Sequence, residues 1–235
     1  MKFVNLQFNS TNPPVFKEVK DLEWITFGNE RPYLNRYPDY LISLFERSST
    51  HNAIVTGKVN YITGEGWTSV KQGTSLESKA KINAFLESIN EDESLDELTE
   101  KICLDFELFD GFALEVIKTK NKKGYQLNHI PFNKIRTNTD ESEYYYSRDW
   151  SQRNQDRDKT GFKIYPKFDA NKNVDVSLYV FRILSPRKGA DSNVYPLPNY
   201  IGGTQAIETE IECFNYNLSE IQTGFSAGTM INFYN

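Results

Sequence analysis

Four carboxylates lie close together in the sequence and could, in principle, serve a metal-dependent nuclease. Asp105, Glu107 and Asp110 are followed by Glu115, and Lys118 comes three residues later. Nucleases of this kind pair an acid and a lysine that are separated by a single residue on a strand. A separation of three residues places Glu115 and Lys118 on opposite faces of a strand. The spacing therefore favours a solvated helix face and a strand edge over a catalytic site.

The other residues that could bind a metal are few and scattered. The chain has two histidines, His51 and His129, and two cysteines, Cys103 and Cys213. No two of them stand at the spacing of zinc ligands. We expect structural histidines and two buried, reduced thiols.

The glycine-rich stretches do not resemble a nucleotide-binding loop. Gly64 and Gly66 lack the lysine and the hydroxyl residue that complete a phosphate-binding loop, and so does the pair Gly202-Gly203. The sequence therefore predicts no cofactor, no metal and no catalytic residue.

Charge is distributed unevenly along the chain. The 235 residues carry a net charge of -5, which argues against a broad basic face that clamps phosphates. After Lys188 there is no lysine or arginine, whereas five acidic residues follow it: Asp191, Glu208, Glu210, Glu212 and Glu220. An acidic end without cations binds nucleic acid poorly, but it is compatible with a channel wall along which DNA slides.

This acidic end contains the clearest periodic pattern in the chain. Apolar residues recur in an alternating rhythm of four and three: Ile207, Ile211, Phe214, Leu218 and Ile221. This rhythm predicts a helix over about 204–223 with one apolar seam. Prolines at 196 and 198 predict an extended arm before the helix, and Gly224 suits its C-terminus. The seam needs a partner, either the rest of the chain or the same helix in another subunit.

The remaining chain predicts an α+β fold with a helical N-terminal half, an antiparallel sheet in the middle and a long C-terminal helix. Helices are predicted at about 38–46, 51–62 and 95–109, and Ser94 and Glu97 are spaced as a capping box. Gly111 is expected to end the third helix. Strands are predicted at about 112–118, 125–130, 144–147, 162–166 and 176–183, with 131–136 continuing the second strand as an edge segment.

Three units follow from this pattern: an extended arm (1–20), an α+β domain (21–194) and the arm with its helix (195–235). Trp67 is expected to begin a short strand after a turn. The charged loop 148–159 is interpreted as a solvated loop or a subunit contact around an exposed Trp150. No apolar run approaches the roughly 20 residues that a membrane-spanning helix needs.

Several short motifs resemble the portal proteins of tailed bacteriophages. The first three are the proline arm, a short glycine turn at Gly202-Gly203 and the acidic helix that follows it. The others are the exit Gly224-Phe225-Ser226-Ala227-Gly228-Thr229, the stretch 24–29 followed by Tyr33-Leu34, and the stretch 105–116. Members of that family usually continue with further stem, clip and crown segments, whereas this sequence ends at Asn235. We therefore expect an N-terminal wing and stem portion.

The resemblance implies a structural subunit rather than an enzyme. Such subunits assemble head to tail into a closed ring, most often a dodecamer, at one vertex of the capsid in the virion, after synthesis in the host cytoplasm. Double-stranded DNA passes through the channel, and the partners are the terminase, the major capsid protein and tail or connector proteins, with no membrane. On this interpretation Glu208, Glu212 and Glu220 face the channel or a neighbouring subunit, while Ile211, Phe214 and Leu218 pack inward.

Two alternatives from other classes stay open. The first is a metal-dependent DNA-processing enzyme that uses the four carboxylates Asp105, Glu107, Asp110 and Glu115. The second is a structural interaction module that does not act on DNA and buries the helix seam against an unrelated partner.

Overall fold

The computed structural model describes residues 16, 18, 20, 23–28, 35–68, 75–119, 124–151, 162–184 and 194–223. Helices and antiparallel strands follow one another in the predicted order, so the α+β prediction is confirmed. The helices are α1 (Tyr37–Arg47), α2 (Ser49–Thr63), α3 (Leu76–Glu87), α4 (Leu95–Phe109) and α5 (Thr204–Thr223). The strands are β1 (Gly111–Lys118), β2 (Tyr125–Ile130), β3 (Ile135–Thr137), β4 (Glu143–Tyr146), β5 (Lys163–Pro166) and β6 (Val176–Arg182). No helix among the described residues combines the length and the apolar character needed to cross a membrane.

Helix α4 begins as predicted and ends differently. Ser94 and Glu97 form the capping box, in which the Ser94 hydroxyl accepts from the Glu97 amide and the Glu97 carboxylate accepts from the Ser94 amide. The helix is closed by Asp110 in the left-handed conformation (φ 55°), not by Gly111. Gly111 is the first residue of β1, where a Cβ would lie 2.8 Å from the Phe132 ring. Close packing, rather than a helix end, therefore requires the glycine.

Within the described ranges, the strands form two three-stranded sheets instead of one. The first sheet has the order β2-β1-β6 and the second β3-β4-β5, with every pairing antiparallel. A parallel bridge between Lys167 and Leu178 connects β6 to the segment after β5. The predicted edge segment at 131–136 is in fact a short 3-10 helix (Phe132–Lys134) that leads into β3. The chain thereby leaves the first sheet and starts the second.

The main core lies among α1, α4, α5 and the facing sides of both sheets. Its buried side chains include Phe27, Leu41, Phe109, Leu178 and Ile211. A smaller cluster joins Trp24, Tyr145 and Trp150, and a third joins Ile89, Leu98 and Leu114 beneath α4. The prediction that Trp150 is exposed was wrong, because its ring is 4% exposed and its Nε1 donates to the Lys134 carbonyl at 2.9 Å.

The two predicted arms are partly packed against the body. In the N-terminal arm, the Phe16 ring meets Phe27 and Tyr37 edge-on, and the Glu18 carboxylate accepts from the Tyr195 amide. Within residues 1–20, the structure describes only Phe16, Glu18 and Lys20. In the second arm, Tyr195 is buried and a 3-10 helix (Asn199–Gly203) leads into α5, so this segment is not a free extended arm. Trp67 lies in irregular structure and starts no strand among the described residues.

The C-terminal helix as a candidate assembly surface

Helix α5 has two halves that differ in burial. In the first half, Ile211 is 3% exposed and Ile207 packs against the same core. In the second half, Phe214, Leu218 and Ile221 are 55%, 54% and 63% exposed. The expected inward packing therefore holds for Ile211 but not for Phe214 or Leu218. We call Phe214, Leu218 and Ile221 the apolar stripe of α5.

The buried half is joined to the body through Glu210. Its carboxylate accepts from the hydroxyl groups of Ser48, Ser49 (3.0 Å) and Thr50 (2.7 Å), and from the Thr50 amide (3.2 Å). These groups belong to the first turn of α2, where amides lack partners within the helix and the helix dipole favours an anion. The hydrogen bonds, with that of Ser48 the largest cause, lower the pKa of Glu210 to about 2. The carboxylate therefore stays ionised and keeps α5 attached to α2 over the neutral and mildly acidic range.

The three glutamates expected to face a channel or a neighbour differ in their contacts and in their burial. Glu208 accepts from the Tyr40 hydroxyl at 2.9 Å, so it contacts α1 of the same chain. Burial, together with this bond to Glu208, raises the pKa of Tyr40. Glu212 lies 3.7 Å from Arg47, and both side chains are more than half exposed, so the pair contributes little. Glu220 belongs to the half that carries the apolar stripe and is partly buried.

The four carboxylates of the nuclease hypothesis do not converge. Asp105 accepts from His129 Nε2 at 2.8 Å and from the Phe132 amide at 2.9 Å, and burial raises its pKa. Glu107 pairs with Lys58. Asp110 closes α4 and accepts from the Asn199 amide group. Each carboxylate thus has its own protein partner, and no metal-binding group of three side chains occurs among the described residues.

Glu115 is buried and belongs to a separate polar cluster between the two sheets, whose Lys163 side chain reaches solvent. It accepts from Lys163 Nζ at 2.6 Å, from the Tyr165 hydroxyl at 2.9 Å and from Asn128 at 3.1 Å. Burial raises the pKa of Glu115, but the bonds from Lys163, Asn128 and Tyr165 outweigh burial and leave it below its usual range. Sequence reasoning missed this cluster and the Asp105–His129 pair. Both depend on which strands lie side by side, and sequence spacing does not contain that information.

We expected no serine in a nucleophile-elbow pattern of the G-x-S-x-G type, but the sequence directly after α5 contains one. Gly224-Phe225-Ser226-Ala227-Gly228 matches the G-x-S-x-G form of a nucleophile elbow. Such an elbow joins a strand to a helix, whereas here the preceding element is a helix that ends at Thr223. These five residues lie outside the described ranges, and the pattern supports no catalytic assignment.

Comparison with known proteins adds no family to this geometry. Neither protein-family models nor curated protein sequences give a match to the chain. The features of the structure that bear on function are the attachment of α5 to α2 through Glu210 and the apolar stripe of α5.

Proposed function

We propose that the protein is a structural subunit of a homo-oligomeric ring of the portal type, with α5 contributing to the contact between subunits. The observation that carries the proposal is the exposure of the apolar stripe on a helix whose other half is firmly attached. Three large apolar side chains in two turns are each more than half exposed. Contiguous exposed apolar surface on a soluble fold marks an interaction site.

Burial of the stripe supplies a driving force for assembly. Removing apolar surface from water stabilises a complex by roughly 25 cal/mol per Å². The attachment at Glu210 favours this role, because a helix that is already positioned loses less conformational freedom on binding. An assembly of identical subunits that uses two different surfaces closes into a ring when the rotation between neighbours fits.

The charge of α5 supports a channel or channel-proximal position in such a ring. The helix carries four glutamates, Glu208, Glu210, Glu212 and Glu220, and no lysine or arginine. Carboxylates repel DNA phosphates over a Debye length of about 8 Å at physiological salt. On this proposal double-stranded DNA moves past the ring without adhering, driven by a terminase, at a capsid vertex where tail or connector proteins later dock. The subunit count, most often twelve in the family that the sequence resembles, belongs to the same proposal.

The test is the mass of the full chain in solution, measured by light scattering with negative-stain imaging. We expect rings with an axial hole for the unaltered chain and smaller species for Leu218→Glu, which places a charge in the stripe. Ser219→Glu is the matched control, because it adds the same charge about 100° around the helix from Leu218, away from the stripe.

A chain that stays a monodisperse monomer at high concentration would overturn the proposal. Equal assembly of the two glutamate variants would show that the stripe is not the contact. Association of the stripe only with an unrelated sequence would instead favour the interaction module.

A further inference from the structure

A second apolar surface lies on one face of the sheet β2-β1-β6. Six aromatic rings form a continuous series there, each centroid within 6.4 Å of the next. We call this series the aromatic strip, and its members in spatial order are Phe106, Phe181, Phe112, Tyr179, Phe168 and Tyr125. Tyr125, Tyr179 and Phe181 are 42%, 41% and 38% exposed.

The strand register explains why the strip is exposed. Phe112 pairs with Phe181, and Leu114 pairs with Tyr179, so alternate residues of β1 and β6 lie on one face. Helix α4 covers Leu114 through Leu98. The rings of β6 extend past this cover, and solvent reaches them from the side.

The sheet edges point to contacts made by side chains rather than by an added strand. The Leu127 carbonyl of β2 accepts from the Asn90 side chain at 2.9 Å. On the far side of β6, the Leu178 carbonyl accepts from the Phe168 amide at 2.9 Å. Backbone groups that a neighbouring strand would need are occupied at these positions, so β-strand addition is disfavoured there.

We infer that the aromatic strip of one subunit receives the apolar stripe of α5 from the next subunit, an inference that rests on the proposed ring. The two surfaces lie on different elements of the chain, so their contact is head to tail. A head-to-tail contact is the type that a closed ring requires. The stripe from Phe214 to Ile221 extends about 10 Å along the helix, and the aromatic strip offers it a series of adjacent rings.

Charge favours this arrangement over a contact between two α5 helices. Two α5 helices that met along the stripe would bring their Glu220 carboxylates together with no cation on either helix. At the Tyr125 end of the strip, β1 places Lys118 opposite Tyr125, and the Lys118 ammonium donates to the neutral Asn173 side chain at 3.1 Å. This positive charge complements Glu220, which accompanies the stripe on the same half of α5.

The experiment combines crosslinking with paired variants of the full chain. A photoreactive phenylalanine analogue at position 218 is activated in the assembled protein, and the crosslinked peptides are identified by mass spectrometry. We expect crosslinks to β6 and to the segment around Phe168. In parallel, Tyr179→Ser and Phe181→Ser are expected to weaken association roughly tenfold or more, as truncation of buried aromatic contacts does at interfaces.

Ile54→Ser is the control, because Ile54 is 57% exposed on α2 and belongs to neither surface. It should leave association unchanged, and circular dichroism checks that all variants fold. Rings that persist in the β6 variants, with crosslinks on another α5 or elsewhere, would overturn this inference and leave the proposed function standing. A monomer at every concentration would overturn both.

Discussion

His51 occupies an unusual position at the joint between α2 and α5. The side chain is 6% exposed, its ring centroid lies 4.4 Å from that of Tyr200, and its Nε2 has no hydrogen-bond partner among the described residues. Burial lowers the pKa of His51, while the nearby charge of Glu210 acts in the opposite direction. Because water hydrates imidazolium better than this site does, the folded protein keeps the ring neutral.

This lowered pKa predicts a loss of stability in mild acid. The unfolded chain takes up a proton at His51 near pH 6.5, whereas the folded chain takes it up only at lower pH. The free energy of unfolding should therefore fall as the pH drops from about 7 toward 5. His51→Phe, which keeps an aromatic ring at this position, should reduce that slope. Urea unfolding at several pH values measures it for both proteins.

Glu210 contributes little to the same slope, because its ordinary pKa of 4.5 and its folded pKa of about 2 both lie below this range and leave it mostly ionised in both states. An unchanged slope in His51→Phe would contradict the prediction. The comparison at neutral pH, where both side chains are neutral, serves as the control for the packing change itself.

At the scale of elements, α3 and α4 have similar caps and very different surroundings. Ser94 caps α4, whose Leu98 and Leu108 are buried. Ser75 caps α3 through the Ser78 amide at 3.2 Å, yet no residue of α3 is buried. Both serines therefore act as N-caps, Ser94 on a helix that contributes to the core and Ser75 on a helix at the surface.

The difference between the two helices predicts unequal effects of a serine-to-alanine substitution at their N-caps. Ser94→Ala should lower the global free energy of unfolding by about 1 kcal/mol, the usual contribution of an N-cap. Ser75→Ala should leave the global value nearly unchanged, because α3 can fray while the rest stays folded. Urea unfolding measures the global effect, and amide exchange in α3 measures local fraying. Equal global losses would show that α3 unfolds together with the core.

Sequence reasoning succeeded for elements with local signals. The rhythm of apolar residues predicted α5 with its observed ends, and the capping box predicted the start of α4. It failed where contacts between residues distant in sequence determine the local conformation or burial, as at Asp110, at the 3-10 helix before β3 and at the buried Trp150. The apolar stripe shows a further limit, because the same periodicity results whether a seam meets its own chain or another. Only the structure shows that the side chains of Phe214, Leu218 and Ile221 are exposed.

At the scale of the whole molecule, Arg136 connects segments that are far apart in the chain. The side chain is 1% exposed, and burial lowers its pKa to about 10. Its guanidinium donates to the Asn35 side-chain oxygen at 2.8 Å and to the Asn133 carbonyl at 2.9 Å. It also lies 4.8 Å from the centroid of the Trp150 ring and 5.4 Å from that of Phe27. One residue of β3 thus holds the loop before α1, the 3-10 helix and the segment after β4.

Replacement of Arg136 therefore tests whether these segments unfold as one unit. Arg136→Met keeps much of the apolar stem but leaves the buried carbonyl oxygens of Asn35 and Asn133 without the guanidinium donor. A buried unsatisfied group costs about 1–3 kcal/mol, so we expect a loss of about 3 kcal/mol in the free energy of unfolding. Arg148→Met is the matched control, because Arg148 is exposed and its change should stay within about 0.5 kcal/mol. Urea unfolding followed by tryptophan fluorescence reports directly on Trp24 and Trp150. A stable Arg136→Met protein would mean that the desolvation cost of the buried cation cancels its hydrogen bonds, as it does in some buried ion pairs.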